Sequence, residues 1–166
     1  MEEGDFNGIS QMKIQELTVE DIPAAIDLVW EVFDEFEGPD YSPEGIAEFR
    51  QSINPESVSG MVERGEMRLW GCKVDGHLAG VIATRGAGHI SLLFVRRENQ
   101  RQGLARKLFE TVVDECRKNN KVERITVNSS PYAVEVYHCL GFVDTDSEKT
   151  VNGIRFVPME YVIPAR

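Results

Sequence analysis

Residues 95–108, VRRENQRQGLARKL, decide how the rest of the chain is read. The stretch leaves an apolar run, His89 to Val95, whose near-continuous hydrophobicity predicts a strand in the middle of a sheet. It then makes a polar turn containing Gly103 and opens a helix in which Leu104, Leu108, Val112 and Cys116 recur at four-residue steps. A helix start offers backbone N–H groups without intrahelical acceptors and a partial positive charge, which together suit a pyrophosphate. Gly103 and the small Ala105 let such a group approach the backbone. Arg96, Arg97, Arg101, Arg106 and Lys107 crowd positive charge here, in a chain whose formal net charge is −10. Neither a GxxxxGKS/T phosphate loop nor a GxGxxG dinucleotide turn is present.

Outward from this centre the elements alternate. Met12 to Leu17 alternates apolar and polar and predicts a strand. Thr18 caps the helix that follows, whose apolar positions Ile22, Ala25, Ile26, Val29, Val32, Phe33 and Phe36 share one face until Gly38-Pro39 ends it. Ser42 caps a second, short helix with Pro43 at its first position. Asn54 to Gly65 is weakly patterned. Met67–Val74 and His77–Thr84 form a hairpin around Asp75-Gly76, a strong two-residue turn signal. After the basic helix, a strand at Val122–Val127, a short helix at Pro131–Leu140 and two late strands around Asn152-Gly153 complete the chain. The expected order is β-α-α-β-β-β-α-β-α-β-β, a mixed-sheet α/β single domain over residues 12–166. Met1 to Gln11, acidic and Gly-containing, reads as a flexible N-terminal extension and not as a signal peptide.

Composition narrows function further. With 166 residues, 42% hydrophobic and 28% charged, the chain reads as a soluble globular domain. Its acidity disfavours nucleic acid as a partner, and it lacks a basic membrane-facing helix. Cys72, Cys116 and Cys139 fit neither a zinc site nor a disulfide framework, and all three are expected to be buried thiols of a cytoplasmic protein. No metal-ligand cluster is visible.

Gln100-Arg101-Gln102-Gly103-Leu104-Ala105 resembles the Arg/Gln-x-x-Gly-x-Gly/Ala motif of the GNAT superfamily of acetyl-CoA-dependent N-acetyltransferases. Tyr137-His138-Cys139-Leu140-Gly141-Phe142 is similar to that family's Y-x-x-L-G-F signature, and the two lie one strand and one helix apart, as in the family. The resemblance implies acetyl-CoA as acetyl donor and a GNAT-like fold. It implies that backbone groups of Leu93, Phe94 and Val95 meet the pantetheine arm, that the turn from Gln100 through Gln102, Gly103, Leu104, Ala105 and Arg106 holds the pyrophosphate, and that Asn128 and Ser130 line the far side. Ser130 stands where many members carry Asn. Tyr137 is the implied acid for the leaving thiolate. His89 occupies the position of a carboxylate base in histone-type members, and a water chain is the alternative base. Family analogy puts the acceptor, a small amine or a peptide, near Phe33, Asp34, Glu35, Phe36, Glu37, Asp40 and Tyr41, with Phe33, Glu35 and Tyr41 the chosen contacts. Dimers are common in the superfamily, and a non-catalytic acetyl-CoA-binding module is the competing role.

Overall fold

A computed structural model describes residues 12–119 and 121–165; the expected extension at 1–11 lies outside them. The first strand, β1 (Met12–Glu16), leads through a 3-10 turn into α1 (Ile22–Val32). Thr18 N–H donates to the Asp21 carboxylate across 2.8 Å and so caps this entry. A five-residue π turn, Phe33–Glu37, and a 3-10 turn, Gly38–Asp40, then carry the chain to α2 (Pro43–Ser52). The helix expected to run to Phe36 thus changes winding after Val32, one turn ahead of the Gly38-Pro39 break.

A further helix, α3 (Pro55–Glu63), occupies the weakly patterned stretch. Its signal was in the cap and not in the periodicity: Asn54 accepts from Ser57 N–H at 2.9 Å, and Pro55 opens the first turn. β2 (Met67–Val74) and β3 (His77–Arg85) follow, joined at Asp75-Gly76 with φ of 54° and 84°, the paired positive angles of a type I′ hairpin. Then come β4 (His89–Val95), α4 (Leu104–Arg117), β5 (Arg124–Ser129), α5 (Val134–Leu140), β6 (Val143–Asp144), β7 (Lys149–Val151) and β8 (Ile154–Val162).

The sheet runs β1-β2-β3-β4-β5-β8-β6, with β7 paired to β8. It is antiparallel except between β4 and β5. Strand alternation sends side chains to two cores. Val81, Ala83, Leu92 and Phe94 pack under α1 and α3, while Ile82, Ile90, Val95, Ile125 and Val127 pack under α4 and α5. The four-step face of α4 is buried as expected, with Leu108 fully enclosed. Cys72 and Cys116 are buried, but Cys139, on α5, is exposed. Among the described residues no helix is long and apolar enough to cross a membrane.

One local defect positions everything that follows. The β3–β4 register slips between Ala83/Leu92 and Thr84/Ile90, leaving Ser91 as an extra residue. The parallel pairing with β5 covers only His89↔Thr126 and Ile90↔Val127. From Ser91 onward β4 has β3 on one side and no strand on the other.

Candidate active site

The open side of β4 is the floor of the site. Arg96 N–H donates to Ala79 C=O, so alternation along the antiparallel ladder turns Phe94 toward β3 and Leu93 and Val95 away from it. Their backbone groups face the gap that β5 leaves. The Gln100 side-chain amide donates to Val95 C=O at 3.0 Å and ties the following turn to the strand end.

That turn is built from two left-handed residues, Arg101 (φ 64°) and Gly103 (φ 82°). Only Gly adopts this region without a Cβ penalty. A Cβ on Gly103 would meet no atom within 4 Å, so the space before it is open. Gly103 is the N-cap of α4, and its carbonyl takes the first helical bond, from Lys107 N–H at 3.0 Å. The N–H groups of Leu104, Ala105 and Arg106 therefore have no backbone acceptor. They can hold an anionic group at the positive end of the helix.

Between β4, this turn and α5 lies a cleft of about 450 Å³. Leu93, Phe94, Val95, Gln100, Arg101, Gly103, Leu104, Ala105 and Arg106 line it on one side, Tyr132, Ala133, Val136 and Tyr137 on the other. A larger groove of about 710 Å³ sits between the β2–β3 turn and Arg96 and meets the cleft at Asn99. The helix start on its wall, that of α1, carries the acidic Asp21 at its cap and Pro23 in its first turn, so the smaller cleft is the one equipped for an extended anionic ligand.

Tyr137 is 5% exposed and packs edge-on against Phe142, ring centroids 5.2 Å apart. Burial and the nearby Glu37 charge push its hydroxyl well above the ordinary phenol range, so it stays protonated. Other expected residues lie elsewhere. Gln102 is exposed on the turn, outside the cleft lining. Asn128 points outward from β5, and Ser130 is buried, accepting from Ala133 N–H at 3.2 Å. His89 stands at the paired end of β4, outside the lining, with Nδ1 2.8 Å from Thr126 Oγ1. Burial, then Arg85, lowers its pKa and keeps it neutral. Phe33 is core, stacked on Phe49 at 4.1 Å and met edge-on by Tyr41 at 5.1 Å. Glu35 is held by Arg97 at 2.7 Å. Arg96 and Arg97, read in sequence as part of a basic cluster, are bound to Glu31 of α1 and Glu35 of the π turn.

Of the acidic segment, Glu37 alone lines the cleft. It is 9% exposed, and burial pushes its carboxyl up to about 7 against the opposing influence of the Ser130 hydroxyl. A sequence signal for it existed: Glu37 is four residues beyond Phe33 and eight beyond Val29, on the buried stripe of the helix. A carboxylate at that spacing breaks the apolar pattern. Among the described residues, no group of three or more His, Cys, Asp or Glu side chains is placed to hold a metal ion.

Comparison with known proteins agrees with this architecture. A family model described as "Acetyltransferase (GNAT) domain" matches residues 37–163. An uncharacterized N-acetyltransferase from the pepI 3′ region of Lactobacillus delbrueckii subsp. lactis is 27% identical over 122 residues, 66% of this chain and 70% of that protein. The PaiA N-acetyltransferase of Thermoplasma acidophilum, solved in complex with coenzyme A, superposes with a TM-score of 0.76 at 18% identity, covering 91% of this chain and 98% of that one. A predicted acetyltransferase with acetyl-CoA from Clostridium acetobutylicum gives 0.68 at 15% identity, covering 84% and 95%.

Proposed function

The chain belongs to the GNAT family of acetyltransferases, and from that premise we propose that it moves an acetyl group from acetyl-CoA to a primary amine by direct attack, with both substrates bound together. One observation carries the proposal. A single cleft joins an uncapped helix start, the unpaired edge of β4 and a buried phenol. Each suits a different part of an acyl-CoA. The N–H groups of Leu104, Ala105 and Arg106 suit the pyrophosphate. Leu93 and Val95 offer strand-like hydrogen bonds to the amides of the pantetheine arm. Tyr137 lies where the open edge meets α5. The coenzyme A and acetyl-CoA of the two solved relatives support the same donor here.

Bound acetyl-CoA supplies the thioester acyl group. The protein's own residues do the rest. Leu93 and Val95 hold the arm in line and bring two reactants to one place, which replaces a bimolecular encounter by an oriented one. Backbone N–H groups on the open edge of β4 are fixed donors toward a developing oxyanion. The Tyr137 hydroxyl, protonated because burial disfavours phenolate, is the proton donor to the leaving sulfur. Apolar walls from Phe94, Val136 and Leu140 limit water near the thioester.

A thiol-release assay with acetyl-CoA and a panel of primary amines tests this. Release that depends on a primary amine and yields the N-acetyl product supports it. Acetyl-CoA binding without release with any amine would point to the non-catalytic binding module instead.

A further inference from the structure

The end of α1 and the π turn after it carry four carboxylates in close succession, and three of them are spoken for. Glu31 is paired with Arg96, Asp34 with Arg50 and Glu35 with Arg97. Glu37, the most buried of them, has no ion-pair partner among the described residues and faces the cleft. The π turn puts it there, with the buried Phe33 at the same turn's other end. The nearby Ser130 hydroxyl favours its charged form but does not outweigh burial. A buried carboxylate without a cation is costly unless a ligand supplies one.

The surroundings describe that ligand. Three tyrosines from three elements feel the Glu37 charge: Tyr41 ahead of α2, Tyr132 on the turn before α5, and Tyr137 on α5. Phe36 stacks on the cleft-lining Tyr132 with centroids 5.3 Å apart. A carboxylate that shares its cleft with Tyr132 and Tyr137 receives an ammonium well. It receives a second carboxylate badly.

We propose that Glu37 is the docking anion and general base for the acceptor, and that the acceptor is a cationic primary amine with no carboxylate beside the reacting nitrogen. This deepens the acetyltransferase reading and rests on it. The Glu37 carboxylate takes one proton from the bound ammonium. The freed nitrogen forms its bond to the acyl carbon as the carbon–sulfur bond breaks. Tyr137 gives its proton to the sulfur, and the nitrogen's remaining surplus proton replaces it on the phenol oxygen. Glu37 is left protonated and releases that proton to solvent, one per acetyl group moved.

The charged and titratable groups around Glu37 are the three tyrosines, with Arg155 and Asp40 acting on Tyr41 and Glu35 and Arg101 on Tyr132. Burial moves all three phenols upward, out of the working range, so Glu37 titrates near neutrality on its own.

The test uses the whole protein, an alkylamine and diamine series, and matched pairs of an amino acid and its amide. Wild type is expected to prefer alkylamines and amides over free amino acids, with kcat/KM rising through pH about 7. E37Q is expected to bind acetyl-CoA with wild-type affinity, which shows that it is folded. It should lose about 100-fold in kcat/KM at pH 7, the usual scale of a lost general base. Its residual rate should climb only as the amine's own pKa, about 10, is approached. E37D should keep the limb near pH 7 at a reduced rate. An E37Q rate within twofold of wild type, an unmoved acid limb, or thiol release only with free amino acids or with no amine overturns the inference. Wild type failing to bind acetyl-CoA would instead sink the acetyltransferase reading beneath it.

Discussion

Replacing Glu37 by Gln should make the protein more stable, and the gain should grow with pH. In the fold its carboxyl ionises near pH 7, whereas an exposed glutamate does so at 4.5. Between those values the native state holds a proton that the unfolded chain has released. Stability therefore falls as pH rises from about 4.5 through 7, and above 7 the loss is complete. The interval corresponds to about 3 kcal/mol. Gln has the same shape and no charge, so E37Q escapes that loss. Any cost from its amide N–H₂ applies equally at every pH. The wild-type-to-mutant difference should therefore move in the mutant's favour by about 3 kcal/mol between pH 4 and pH 8.5, about 6–12 °C in Tm for a chain of this size. Thermal melts of the ligand-free proteins at the two pH values measure it. A difference that does not change with pH would refute the buried, unpaired state of Glu37.

Two further outcomes can be checked on the same preparation. Tyr137→Phe keeps the packing against Phe142 and removes only the hydroxyl; kcat should fall roughly 10- to 100-fold with acetyl-CoA affinity unchanged, and an unchanged kcat would remove Tyr137 from the chemistry. Gly45→Ala would place a Cβ 2.3 Å from Gly153 O, at the point where the β7–β8 turn rests on α2. Since backbone must move to admit it, urea unfolding should show a loss of about 1–3 kcal/mol, and a neutral result would mean the turn is not seated there.

Local chemistry was readable from sequence wherever the structure depends on neighbours along the chain. Asp75-Gly76 and Asn152-Gly153 adopt the positive angles their residue types allow. The four-step pattern of α4 is its buried face, and Gly103 sits at the left-handed position before it. What depends on distant residues was hidden. The arginines at 96 and 97 read as a phosphate patch, yet their partners come from α1 and the π turn after it, more than sixty positions away. The divergence of β4 from β5 is made by an extra residue at Ser91 and by pairing that stops at Ile90. No composition rule marks either. His89 lies on the stretch of β4 still paired to β5, ahead of the opening, and so stands outside the cleft. Glu35 and Glu37 look alike in sequence; the π turn separates them, one to an arginine at the surface and one to the cleft.

The proposed function requires the cleft at the start of α4 to hold acetyl-CoA. Calorimetric titration of wild type and Gly103→Asp with acetyl-CoA tests it most directly. The substitution meets open space, with no steric clash in the fold, though the left-handed backbone adds about 1 kcal/mol of strain. It sets a negative charge where the pyrophosphate should lie. Binding by wild type that falls at least 100-fold in a folded mutant is the predicted result. Equal affinity in the two proteins, or none in wild type, would contradict the claim.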